Sequence, residues 1–398
     1  MQFRTLVARA FIGKLRNRAN MLTTIVEAPL LAALIGAVLR YSESGEYDFA
    51  SAFHIPTYLF LSLVVAMFLG LTNSVDDIIR DRPVLQRERN LNVRLGWYIL
   101  AKVLTLSLFA LIQCVLFILI GNWILEVRGM FWIYLLAMVL TAVSGIAIGL
   151  LISSLASEGK TAVNIIPIVL IPQIILGGAL IKYEEMNRNL DFVYSISRWF
   201  DQNPEAGQAR SDLQVPLICE FMPMRWSYEA LVYAQAKLNP LTQRQEQIQE
   251  QINTLARTKD LTTEQETRLD DLKELLAIVS GVQGKDVSTV ERRLRRIDEV
   301  MRGAPLVGKI LSPSSGPVTA ERLFVNQKTT DLVNKAEMEQ SDYRESRFLN
   351  VFFGPQKRYF GIQSSVLTFN AGVLAVSSLA MFVGLYFILR HQLKSRLA

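Results

Sequence analysis

Apolar residues along this chain fall into long runs, separated by shorter polar and charged stretches. Six runs have membrane-spanning length: Met21–Leu39, Ile55–Val75, Gly96–Asn122, Met130–Leu155, Ala162–Ile181 and Gly361–Leu389. About 20 apolar residues cross a bilayer core as a helix, so the pattern predicts six transmembrane helices. The last run holds no charged residue, and Glu27 and Lys102 are the only charges within the others. Both lie close to a run's end, where a long side chain reaches the interface. The expected class is an all-α integral membrane protein.

A different period governs the flanks. In residues 2–20, Phe3, Leu6, Val7, Ala10, Phe11 and Leu15 recur at helical spacing while Arg4, Arg9, Lys14, Arg16 and Arg18 fill other positions. That is either a basic amphipathic helix at a membrane surface or a plain juxtamembrane flank. Between the fifth and sixth runs the chain turns polar. Leu241–Ala256 carries Ile248, Ile252 and Leu255 on one stripe, and Thr263-x-x-Glu266 and Ser288-x-x-Glu291 read as capping boxes for two more helices. Leu311–Val318 reads as a loop, and Asp331–Phe348 as a polar helix returning to the membrane.

The segments are therefore 1–20, amphipathic; 21–181, spans one to five with a charged loop at 76–95; 182–235, a loop; 236–350, a helical insert; 361–390, the sixth span; and 391–398, a tail. The loop Asp76–Leu95 holds five arginines and four acids, too many charges to lie in hydrocarbon. Lysine and arginine gather there, in the first 20 residues, at Lys160 and in the tail (Arg390, Lys394, Arg396). The opposite loops offer only Arg40 and Arg128. The positive-inside rule places both termini in the cytoplasm and 182–360 outside.

Composition agrees. Of 398 residues 51% are hydrophobic, mean hydropathy is +0.27, and the net charge of +6 sits beside the spans. The surplus is topological and implies no nucleic-acid partner. Met21–Leu39 is longer than a signal-peptide core and reads as the first anchor. Cys114 lies in an apolar run and Cys219 in a polar one, so free thiols are expected. Gly145-x-x-x-Gly149 permits close helix approach. Pro167 and Pro172, with Asn164 and Gln173, fit a bent pathway-lining span or ordinary packing equally well.

Catalytic chemistry is not in evidence. The two histidines, His54 and His391, flank different spans, leaving little for a metal site or a catalytic triad. Gly281-Val-Gln-Gly-Lys285 lacks the spacing of a phosphate-binding loop, as does Gly159-Lys160-Thr161.

Three stretches resemble the transmembrane domain of ABC transporters of the G subfamily and their bacterial relatives. Asp81-Arg-Pro-Val-Leu-Gln-Arg-Glu-Arg89 is similar to that family's E-R-P-V-F-x-R-E-R cytoplasmic loop. Gly177-Gly-Ala-Leu-Ile181 resembles the end of its fifth span, and Met224-Arg-Trp-Ser-Tyr-Glu-Ala-Leu231 its outer re-entrant helix. The resemblance implies a permease subunit of an exporter in a bacterial cytoplasmic (inner) membrane. Residues 1–20 would be the connecting helix, and Asp81, Arg82, Arg87, Glu88 and Arg89 would couple to an ATPase. Leu176 and Leu180 would form an apolar plug, with Arg225, Trp226, Tyr228 and Glu229 on the re-entrant helix. Thr72, Asn73, Asn164 and Gln173 are the cavity candidates.

The implied partners are an ABC ATPase subunit, which would hold ATP and magnesium, a second transmembrane subunit (identical or not), and membrane lipid. No cofactor is expected in this chain. The insert has no counterpart in the typical family member, and neither an ATPase domain nor a Walker motif stands in this sequence, so a separate subunit or a longer parent chain is implied. The insert motivates a rival expectation: a mechanotransmitter that relays ATPase motion to an envelope partner and transports nothing.

Overall fold

A computed structural model describes residues 2–16, 18–41, 47, 49, 52–88, 94–127, 129–186, 215–257, 325–341, 351–359 and 362–395, with isolated positions between 269 and 276. The helices expected at Thr263 and Ser288 and the loop at Leu311–Val318 lie outside the described residues, apart from a few positions of the first.

The N-terminal amphipathic stretch forms α1 (Gln2–Arg16), followed by α2 (Arg18–Leu39). Then come α3 (Ile55–Ser74), α4 (Asp77–Glu88), α5 (Leu95–Ile124), α6 (Phe131–Leu155) and α7 (Gly159–Ile175). After Tyr183–Glu185, a single 3-10 turn, follow α8 (Leu217–Glu220), α9 (Pro223–Lys237), α10 (Pro240–Ala256) and α11 (Gln327–Ser341). A hairpin of β1 (Gln356–Tyr359) and β2 (Ile362–Ser365), antiparallel with Lys357 opposite Ser364, leads into α12 (Val366–Ser395).

Among the described residues, five helices are long and apolar enough to cross a membrane: Met21–Leu39, Ile55–Leu85, Leu95–Ile124, Phe131–Leu155 and Val366–Gln392. The run expected as the fifth span forms a helix of only 17 residues, Gly159–Ile175. At 1.5 Å per residue it extends roughly 25 Å, short of a ~30 Å hydrocarbon core. The last span begins later than its apolar run, because Ile362–Ser365 pairs as a strand. The charged segment is not a plain loop, for after a turn at Val75–Asp76 it becomes α4.

The centre of the bundle is the α3–α6 pair. In a membrane, helices associate through close packing rather than through the hydrophobic effect, and glycine supplies the close approach here. A Cβ on Gly70 would stand 2.3 Å from the Ala142 carbonyl oxygen, and one on Gly145 2.6 Å from the Met67 carbonyl oxygen. At Gly149 it would collide with the Ser74 hydroxyl. The Gly145/Gly149 spacing thus does what its pattern permits.

Side-chain hydrogen bonds fasten the other helices to this pair. Tyr58 on α3 donates to Asn122 on α5 (2.9 Å), and the Ser144 and Ser378 hydroxyls join α6 to α12 (2.9 Å). Asn326, just before α11, donates to the Phe49 and Ala52 carbonyls, tying the returning polar helix to the segment between α2 and α3. Both ends of the described chain lie at the α4 end of the bundle. Lys14 lies 3.8 Å from Asp77, and Gln392 donates to the Ser154 carbonyl at 2.8 Å.

Candidate functional site

Two polar assemblies stand at opposite ends of the bundle. The first is built around α4. Its leading backbone N–H groups have no partner within their own helix, and a residue of α6 supplies one: the Ser153 hydroxyl accepts from Ile78 N (3.0 Å) and Ile79 N (3.2 Å). In return, the Arg82 guanidinium donates to the carbonyls of Ser154 (2.9 Å) and Ala156 (2.6 Å) at the end of α6. A cation there also suits the helix dipole. The two helices cap each other.

The other face of α4 presents Asp77 and Asp81, one turn apart. Lys102 on α5 pairs with both, at 2.9 and 2.7 Å. Tyr98 adds a hydrogen bond to Asp81 (3.0 Å). Lys102 therefore does not reach out to the interface as its position in the sequence implied; two carboxylates of α4 stand within its reach. Glu27 is half-buried on α2. Lys14 on α1 donates to the Asn73 carbonyl (2.8 Å), and burial holds its ammonium below the ordinary lysine value, with Asp77 opposing that shift.

Of the expected coupling residues, Asp81 and Arg82 thus turn inward and anchor α4. Arg87 and Glu88 close the helix, but their side chains, and Arg89 altogether, lie outside the described residues. Among the expected cavity residues, Asn73 donates to Gln113 (2.7 Å), which in turn donates to the Thr24 carbonyl, joining α3, α5 and α2. Thr72 bonds its own helix at Phe68 (3.0 Å). Asn164 is exposed on α7, whereas Gln173 is buried and accepts from Met224 N at the start of α9 (3.3 Å).

The second assembly surrounds α9, most of which is buried. Glu229 is wholly buried and accepts from Lys357 Nζ (2.5 Å), Phe353 N (2.8 Å) and Asn370 Nδ2 (3.0 Å). Arg225 lies one turn earlier, with Nη2 3.7 Å from Glu229, Nη1 3.6 Å from Glu220, and its guanidinium 3.7 Å above the Trp226 ring. Burial raises the Glu229 carboxyl, yet Lys357 and Arg225 bring it below its ordinary value. Burial pushes Lys357 down to about 8 against the pull of Glu229. Phe353 holds a positive φ of 65°, rare for an aromatic residue, and Glu229 grips its N–H. Tyr228 packs edge-on to Phe60 at 5.2 Å, so all four expected residues of this helix are interior.

The plug candidates diverge. Leu176 is half-buried beside Tyr183 and Cys219, whereas Leu180 is exposed. Gly178 between them has φ 79°, and a Cβ there would meet the Tyr183 and Phe352 rings at 2.7 and 2.8 Å. Cys114 and Cys219 are buried free thiols. Sequence reasoning missed Lys357 and Asn370. A lysine between apolar stretches was the only signal, and nothing local marks its partner 128 residues away.

Spanning helices with a charged helix at one end and a buried helix at the other agree with the comparison of the chain with known families. None of the curated proteins compared matches it. Residues 1–198 match the ABC-2 type transporter family. That stretch runs from α1 through the α4 assembly to α7 and Gly178, and makes the chain an integral-membrane permease subunit, which works with an ATPase: it belongs to the ABC-2 type transporters.

Proposed function

We propose that this permease subunit exports an apolar or amphipathic substrate, lipid-like or drug-like, from the cytoplasm or inner leaflet of a bacterial inner membrane. A separate ATPase would drive it through residues 76–95. The observation that supports coupling is the anchoring of α4: ion pairs to α1 and α5, and reciprocal caps to α6. A helix held on three sides passes a push on its free end into the spans. Arg87 and Glu88 close α4 and, with Arg89 after them in sequence, would meet the ATPase, while Asp81 and Arg82 act as anchors. The end carrying α4 is cytoplasmic in this reading, by its excess of arginine and lysine. Two copies, or this chain and a related one, would enclose a cavity between their third and seventh helices, with Thr72 and Asn164 toward it and Leu176 and Leu180 above it. ATP does work only if it binds one state better than the other.

The test is purification of the chain from native membrane, with ATPase assayed before and after Glu88→Ala with Arg89→Ala. An ATPase that co-purifies and is released or uncoupled by the double change supports the reading. No accompanying ATPase, and no effect of the change, would sink it.

One observation favours the mechanotransmitter reading: α11 is fastened to the segment between α2 and α3 by Asn326 and to α9 by the Lys237–Glu337 pair (2.8 Å). Replacing residues 258–324 with a short flexible linker separates the two. A relay loses its envelope function while ATPase coupling persists; an exporter keeps transporting.

A further inference from the structure

A cavity of about 230 Å³ opens between α1, α4 and α5. Its charged lining is cationic on balance: Arg9, Lys14, Arg80 and Lys102 against Asp77 and Asp81, with Arg80 also paired to Asp76 at 2.5 Å. Lys102 already satisfies both carboxylates, at 2.9 and 2.7 Å. Lys14 is left with less. It is largely buried, it donates to one backbone carbonyl, and Asp77 is 3.8 Å away, beyond hydrogen-bond range. An ammonium carries three donors. Burial depresses its pKa, the mark of a positive charge that its surroundings under-compensate.

The rest of the lining is apolar, with Leu6 and Ala10 on α1 and Leu106 on α5. Position matters as well. Trp97, its ring 5.3 Å from that of Phe3, stands at the start of α5 as an interfacial aromatic does. Leu106 lies nine residues further along, roughly 14 Å at 1.5 Å per residue. The cavity therefore reaches from headgroup level into the acyl region, under a basic amphipathic helix. Anionic lipid is drawn to such a helix by charge and by its apolar face.

We propose that this cavity binds the phosphate group of one anionic glycerophospholipid, held by Lys14 with Arg9 and Arg80 at the mouth, its acyl chains passing over Leu6 and Leu106. The lipid bridges α1 to α4 and α5 and so stiffens the assembly that carries the coupling helix. Its placement in the inner leaflet rests on the orientation proposed above. Its test uses no ATPase, so the two readings fail separately.

The purified chain is placed in bilayer discs of dioleoylphosphatidylcholine with a graded fraction of dioleoylphosphatidylglycerol, and bound lipid is counted by native mass spectrometry. The expected result is one phosphatidylglycerol retained per chain in preference to phosphatidylcholine. Lys14→Gln should weaken retention at least about tenfold, the loss of one charge-assisted hydrogen bond. Arg9→Gln, at an exposed position, should weaken it less, and covers the case in which Lys14→Gln fails to fold. Inorganic phosphate at millimolar concentration should not compete. Equal retention of the two lipids, or retention unchanged in both variants, overturns the proposal. Full competition by inorganic phosphate overturns a lipid as the source.

Discussion

Glu229→Gln is the sharpest perturbation available. It keeps the shape of the side chain and removes one charge from a site where Glu229 and Lys357 are wholly buried at 2.5 Å. Lys357 then loses the carboxylate at 2.5 Å and Arg225 the one at 3.7 Å, while Glu220 stays 3.6 Å from Arg225. Breaking a buried pair by removing one partner costs about 3–5 kcal/mol, because the other charge stays buried. Combining it with Lys357→Met removes both charges, leaving Arg225 and Glu220 balanced. The double variant should therefore lose less stability than the two single variants together, a coupling of about 2 kcal/mol between neighbours. The assay is equilibrium unfolding of the purified chain by dodecyl sulfate in mixed micelles, followed by tryptophan fluorescence, to which Trp226, stacked on Arg225, contributes. Single losses below about 0.5 kcal/mol that simply add would refute the argument.

Three further outcomes are expected. Arg82→Ala strips the cap from α6 and should cost about 2 kcal/mol in the same assay, as charged hydrogen bonds do; an unchanged midpoint would mean that the mutual capping carries no weight. Gly145→Val drives a side chain into the Met67 carbonyl and should cost at least about 1–3 kcal/mol, whereas Gly372→Val, with open space around it, should be tolerated on size-exclusion chromatography. Lys357 titrates near 8 in the fold, below its ordinary value, so between about pH 8 and 10 the unfolded chain binds the proton that the folded chain has lost. Stability relative to Lys357→Met should then rise with pH across that window, and a flat or falling difference would contradict the assigned burial.

The sequence was most informative where one physical constraint acts alone. Hydrocarbon demands about 20 apolar residues per crossing, so five spans could be read from run length. Residues 162–181 have the run length of a span, yet the helix they form is 17 residues long and ends at Ile175, next to a turn that carries Gly177 and Gly178 at their close contacts. The charges of Asp76–Leu95 revealed a segment outside the hydrocarbon but not its partners. Ser153, Tyr98 and Lys102 lie on other helices; Lys102 stands out as a charge within an apolar run, but nothing local to any of the three points to α4. The motif Arg225-Trp-Ser-Tyr-Glu229 marked a helix, but its burial depends on Lys357 and Asn370, which no local pattern connects to it.

The two assemblies share one member. At one end of α6, Ser153 caps α4 and the terminal carbonyls receive Arg82. Toward the other end, Tyr134 donates to Gln235 at 2.5 Å and Thr141 to Ser227 at 2.7 Å, both on α9. Between them, Gly145 and Gly149 hold α6 against α3 at backbone distance. Bending α6 in its middle would open that contact, where each lost hydrogen bond or packing contact has no water to replace it. Under the proposed coupling, a displacement of α4 therefore has an easier route than local deformation: α3 and α6 tilt as one body, and α9 follows. The buried charges of α9 then fix where that motion stops, because Glu229 keeps its partners only while α9, the β1 strand and α12 stay in register. Under the same proposal, charge at the α9 end would set a discrete end state of the motion, and the stability lost on removing Glu229 should be matched by a loss of coupling between ATPase and transport.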